Sequence, residues 1–172
     1  TGKPTLVIGA STGGPSVLED LVSRLPVEAD MRILIVQHMP DEFTGRFAER
    51  LDSATGYSIR EAEDGDRIGG GEGLVAKGDY HMEVAGYSSG RLRVRLNQEP
   101  KIHGVRPAID VTMKTASEKI SDRLVGVVLT GMGNDGAEGI RSIKQAGGRT
   151  IAQDEETSKV FGIPARAIET GC

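Results

Sequence analysis

The chain has a single cysteine, Cys172, among 172 residues. An intrachain disulfide is therefore impossible, and a reducing compartment fits. Tryptophan is absent and aromatics make up only 3%. Positive charge is not in excess: 21 Lys and Arg stand against 25 Asp and Glu, a formal charge of −4. That balance argues against nucleic acid or an anionic membrane surface as a partner. No apolar run is long enough to span a bilayer, and no signal-peptide pattern opens the sequence. Three scattered histidines, no H-E-x-x-H and one cysteine give poor support for a metal site. Glycine, by contrast, is plentiful at 24 residues. Hydrophobic runs lie between the glycines, which points to many tight turns rather than disorder. The length suits one domain with a real core.

The most informative stretch is T-L-V-I-G-A-S-T-G-G at residues 5–14. Leu6, Val7 and Ile8 read as a buried strand. Glycines then bracket Ser11 and Thr12, and Pro15 stands where a helix begins. Val17, Leu18, Leu21, Val22 and Leu25 continue with helical spacing. The segment is strand, turn, helix. Residues 32–37 (R-I-L-I-V-Q) read as a second buried strand ending at His38, and a helix follows from Pro40 with Phe43, Phe47 and Leu51 on one face. A short strand is expected at residues 57–62. Residues 63–97 change character: they are rich in glycine and charge, with alternating stretches at 73–76, 81–85 and 92–96. They read as a small antiparallel excursion, and the alternation of residues 92–96 predicts a half-exposed strand. Pro107 opens a helix carrying Ile109, Met113, Ala116 and Ile120. Residues 124–130 form a third buried strand, leading into G-M-G-N-D-G and a helix with Ala137, Ile140 and Ile143. A fourth strand (149–153) and a short helix from Pro164 complete the chain. This alternation predicts an α/β fold: a doubly wound, mostly parallel sheet flanked by helices, with the antiparallel excursion in its middle.

In open parallel sheets, ligands bind beyond the carboxyl ends of the strands. Three such ends carry Ser11, His38 and Asp135: a hydroxyl, an imidazole and a carboxylate. These are the parts of a nucleophile, a base and a group that orients the base. The segment G-A-S-T-G also fits G-x-S-x-G, and Ser11 stands beside the backbone donors that open a helix, where an oxyanion is favoured. Other readings stay open at this level. Ser11 fits equally a turn former or helix cap, and a glycine-rich strand-to-helix turn also cradles phosphates. The turn does not match G-x-G-x-x-G, however, and Gln37 and His38 stand where a dinucleotide site wants an acid. Asp135 fits an N-cap of the helix that follows it. Asp79, Asp110 and Asp154 are rival carboxylates; His81 and His103 are rival bases.

At these residues the chain resembles the catalytic domain of the chemotaxis protein-glutamate methylesterases, the CheB family. The matching blocks are I-G-A-S-T-G-G (8–14), Q-H-M-P (37–40), F-A-E-R-L (47–51), E-A-E-D-G (61–65), G-D-x-H-M (78–82), R-P-A-I-D (106–110), L-T-G-M-G-N-D-G (129–136) and V-F-G-I-P (160–164). They occur in the family's order across nearly the whole chain. The resemblance implies a hydrolase of glutamate methyl esters on the cytoplasmic domain of methyl-accepting chemoreceptors, and glutamine deamidation in some members. It places the nucleophile on Ser11, the base on His38 and the acid on Asp135. Thr12 and the backbone N–H of Met132 match positions that help hold the substrate oxygen. Arg106 is a candidate contact for an acidic receptor surface, or alternatively a salt bridge positioning the Pro107 helix. No cofactor is implied, and the expected location is the cytoplasm. A nucleotide-binding α/β protein and a non-catalytic receptor-binding module are the competing readings. Residues 1–172 correspond to the catalytic domain alone: the family's N-terminal receiver domain and linker are not in this sequence, and the family usually continues past the last helix.

Overall fold

A computed structural model describes residues 2–120 and 123–172. The first half of the chain forms β1 (Thr5–Ala10), α1 (Gly14–Arg24), β2 (Arg32–Gln37), α2 (Asp41–Ala54), β3 (Ser58–Glu61), β4 (Arg67–Ile68) and β5 (Glu72–Val75). The second half forms β6 (His81–Ser88), β7 (Arg91–Asn97), α3 (Ile109–Lys119), β8 (Leu124–Val128), α4 (Ala137–Gln145), β9 (Arg149–Ala152) and α5 (Ile163–Glu169).

The run 5–10 becomes the central strand because it can be buried on both faces. Val7 packs into one core and Ile8 into the other. Strand β1 pairs in parallel with β2 and with β8, and the full sheet order is β3-β5-β2-β1-β8-β9, parallel throughout. One face is covered by α1 and α2 through Leu18, Val22, Phe47 and Leu51. The other is covered by α3, α4 and α5 through Ile109, Met113, Ile140, Ile143, Ile163 and Ala167. This is the doubly wound α/β architecture. The chain leaves β1 toward β2 and later returns to the opposite side of β1 as β8. The carboxyl ends of β1, β2 and β8 therefore border a topological switch point.

The antiparallel excursion is real but smaller than its sequence suggests. Strands β4, β7 and β6 form a three-stranded sheet, and β7 alternates as expected, with Leu92 and Val94 buried and Arg91, Arg93 and Arg95 exposed. Residues 73–76 do not belong to it. They form most of β5 and its end, a parallel strand of the main sheet inserted between β2 and β3. The reason is burial on both faces: Leu74 joins one core and Val75 the other. Strand β4, only two residues long, is too short to show any alternation. The other departure is Phe43: Phe47 and Leu51 are in the core, but Phe43 is 51% exposed in the first turn of α2.

The small sheet lies against α3, and polar bonds tie β6 to that helix. Thr112 Oγ1 donates to Met82 O at 2.6 Å, and Val84 N–H donates to Thr115 Oγ1 at 2.9 Å. Helix α4 then crosses close to α3, because Gly139 has no side chain. A Cβ there would meet Met113 Cβ at 2.6 Å. This close approach brings the amino ends of α3 and α4 together beside the carboxyl end of β8.

Candidate active site

Ser11 and His38 come one residue after neighbouring strand ends. Ala10 and Gln37 are register partners, so the next residues lie side by side across a spacing of about 4.8 Å between strands. Two backbone bonds fix this corner: His38 N–H donates to Ala10 O at 3.1 Å, and Ser11 N–H donates to Thr130 O at 3.0 Å. Gly131 makes room for the serine. A Cβ at Gly131 would stand 2.7 Å from Ser11 Cβ and 2.9 Å from Ser11 N, closer than packed atoms tolerate.

Asp135 comes from the loop after β8 and is 2% exposed. Its Oδ2 is 2.7 Å from His38 Nε2. The same oxygen accepts from Ile109 N–H at 2.6 Å, and Oδ1 accepts from Asp110 N–H at 2.9 Å. The carboxylate therefore rests on the open amino end of α3, whose first N–H groups have no partner inside the helix. It does not cap its own helix, since the residue preceding α4 is Gly136, with no side chain to bond. The α4 donors are met by Asp110 instead, whose Oδ1 accepts from Gly136 N–H at 2.9 Å and Gly139 N–H at 2.7 Å. Each acid thus serves the helix that the other belongs to or precedes. Burial pushes the Asp110 carboxyl above its ordinary range, and the nearby Asp135 charge adds to the effect.

A carboxylate can only accept, so the Nε2 facing Asp135 carries a hydrogen and Nδ1 is left for a proton from elsewhere. Ser11 Oγ has no hydrogen-bond partner among the described residues, so the Ser11–His38 bond is not formed in this state. Thr12 is exposed, and its carbonyl accepts from Thr130 Oγ1 at 3.0 Å. Met132 is 70% exposed. The Gly131 carbonyl before it accepts from Gly162 N–H at 3.0 Å and Ile163 N–H at 2.8 Å, at the head of α5. Because the peptide is trans, the Met132 N–H points the opposite way. Neither it nor the Thr12 N–H donates to a protein acceptor among the described residues.

Of the rival carboxylates, Asp154 and Asp79 are engaged elsewhere. Asp154 bonds Thr157 on the surface. Asp79 holds Arg106 at 2.7 Å, and the Arg106 guanidinium also donates to the carbonyls of Gln98 and Glu99 at 3.1 Å. This is the bridging arrangement, and it lines a cleft of about 350 Å³ that reaches His38 and Pro40. The Arg106 guanidinium beside Asp79 holds that carboxyl below its ordinary value. His103 pairs with Asp110 at 2.9 Å. His103, Asp110 and Asp135 bring ligand-type atoms within 4.8 Å of one another. That cluster already serves two helix ends and the His38 pair.

Sequence reasoning missed Gln37. Its Nε2 donates to the Ser11 carbonyl at 2.8 Å and to the His38 carbonyl at 3.2 Å, tying the two residues' backbones together. The available signal was an amide closing the apolar run of residues 33–36. The bond to Ser11 could not be read from the sequence, because that carbonyl belongs to the turn after another strand.

This geometry invites comparison with known proteins, and residues 6–172 match the family model for CheB methylesterase. The chain belongs to the CheB methylesterase family. It is 70% identical over 170 residues to the protein-glutamate methylesterase/protein-glutamine glutaminase of Halobacterium salinarum, covering 99% of this chain and 49% of that protein. The similarly named protein of Pyrococcus horikoshii is 54% identical over 166 residues, covering 96% of this chain and 45% of the relative. The CheB methylesterase catalytic domain of Thermotoga maritima superposes with a TM-score of 0.93 at 42% identity, covering 99% of this chain and 89% of that one. The chain thus spans about half the length of the curated relatives it matches, and nearly all of a solved CheB catalytic domain. Among the described residues no helix is long and apolar enough to cross a membrane.

Proposed function

We propose that residues 1–172 are the catalytic domain of a protein-glutamate methylesterase acting on methylated glutamates in the cytoplasmic domain of chemoreceptors. In this reading a receiver domain precedes it in the whole protein, the setting is the cytoplasm, and the role is adaptation in chemotaxis. The observation that carries the reading is the His38–Asp135 pair, 2.7 Å apart, beside Ser11 at adjacent strand ends.

Ser11 Oγ attacks the side-chain ester carbonyl while His38 Nδ1 takes its proton. Asp135 stabilises the imidazolium that results. The tetrahedral oxyanion is held by the free N–H of Met132 and by Thr12. Its collapse breaks the ester C–O bond, and His38 returns the proton to the departing methoxide, releasing methanol. Water, deprotonated by His38, then attacks the glutamyl-serine ester. A glutamate carboxylate and free Ser11 result. A glutamine side chain enters the same sequence with ammonia as the leaving group, which supports the second activity carried in the relatives' names. The cleft between His38 and Arg106 is a place for the receptor helix.

The test is methanol release from carboxymethylated chemoreceptor membranes. Ser11→Ala is expected to lower it by about 10⁴–10⁶-fold, and near-normal release from that variant would overturn the assignment.

A further inference from the structure

His81 opens β6, is 1% exposed, and takes no part in the chemistry above. Its ring makes two bonds with opposite requirements. Nε2 is 2.9 Å from the Pro100 carbonyl, which can only accept. Nδ1 is 3.2 Å from the Ala108 N–H, which can only donate. The pair of bonds selects one tautomer, with hydrogen on Nε2 and a lone pair on Nδ1.

What the Ala108 N–H precedes gives this its interest. Ala108 is the residue before α3, and the next two N–H groups, of Ile109 and Asp110, both point at Asp135. Three successive donors at one helix end are thus divided between His81 and the carboxylate that holds His38. The Ala108 Cα joins the peptide plane that His81 holds to the plane carrying the Ile109 N–H, so a shift of Ala108 would move that N–H, 2.6 Å from the oxygen that also faces His38 Nε2.

We propose that His81 is a positioning residue for the His38–Asp135 pair, acting through the amino end of α3. This rests on the methylesterase reading for its link to turnover but not for its link to His38. Thr112 supplies the control: it bonds the same strand to the same helix about one turn further on, away from the helix end.

The variants separate the two ring nitrogens. In His81→Asn the side-chain oxygen falls near the Nδ1 position and can accept from Ala108, while the Pro100 bond is lost. In His81→Gln the side-chain nitrogen can reach Pro100, while the acceptor for Ala108 is lost. Three readouts apply to each: unfolding in urea, the rate at which a fluorophosphonate labels Ser11, and the downfield NMR signal of the His38 Nε2 proton.

His81→Gln is expected to slow labelling tenfold or more and to shift the His38 signal. His81→Asn should stay within about threefold of the parent, and Thr112→Val should lose stability without slowing labelling. Equal losses in the Gln and Asn variants, or a Thr112→Val loss as large as that of Gln, would overturn the proposal. So would a ¹⁵N spectrum of the parent showing His81 protonated on Nδ1 alone, a reading that needs no variant to fold. A parent that is folded but unlabelled at Ser11 would instead refute the esterase reading. The His38 signal would then still decide the role of His81.

Discussion

Replacing Asp135 with asparagine tests the centre of the site, and the structure sets the size of the effect. The carboxylate accepts from Ile109 N–H at 2.6 Å, from Asp110 N–H at 2.9 Å and from His38 Nε2 at 2.7 Å. An amide keeps one oxygen. Turned toward the helix, that oxygen satisfies one backbone donor and leaves its own NH₂ facing the other donor or the imidazole. One buried backbone bond is lost, at a cost of about 1–3 kcal/mol. Removal of the repulsion with Asp110 offsets part of that. The variant should therefore fold, with a urea midpoint modestly below the parent's. Catalysis suffers more. With an NH₂ facing Nε2, His38 prefers hydrogen on Nδ1, the nitrogen that should accept from Ser11. The corresponding change in a serine-protease triad costs about 10⁴-fold, and a drop of about 10³–10⁴-fold is expected here. The assay is the rate of Ser11 labelling by a fluorophosphonate, located by mass mapping, at matched folded fraction. A folded variant that labels within tenfold of the parent would refute the argument, because Asp135 would then be only a helix cap.

Two further predictions rest on separate contacts. Gly131→Ala places a methyl group against Ser11 Cβ at 2.7 Å and Ile163 Cδ1 at 2.8 Å; it should cost about 1–3 kcal/mol in a urea titration and slow Ser11 labelling, and unchanged labelling would mean that the serine backbone is not held there. Asp110→Asn keeps an oxygen for Gly136 and Gly139 and removes a carboxyl whose native pKa lies above the ordinary 3.8. A native state that binds this proton more tightly than the unfolded chain loses that advantage as pH rises from about 4 through the raised native value. The stability of Asp110→Asn relative to the parent should therefore increase across that window, and a flat or falling difference would contradict the assigned direction.

Much of the main architecture was legible in local pattern. Apolar runs at 5–10, 32–37 and 124–128 can be buried only on both faces, which makes them parallel strands, and the helices between them show their faces at 3.6-residue spacing. The same patterns put Ser11, His38 and Asp135 beyond strand ends. Residues 73–76 were misplaced because a short run between glycine-rich segments carries no mark of which sheet will take it. Strand pairing is a contact between distant segments, and β5 joins β2 and β3 only because both of its faces find a core.

By itself, then, the sequence determined the element order, the doubly wound class and the placement of Ser11, His38 and Asp135 beyond strand ends at one edge of the sheet. Tertiary structure alone decided which helix each acid serves. Asp135 reads locally as a cap for the helix after it, yet its carboxylate rests on α3, and Asp110 meets the donors of α4. Helix ends offer their free N–H groups to whatever acceptor packing brings near. Here the close α3–α4 crossing at Gly139 brings the acids together and, with His81 behind them, sets where His38 is held.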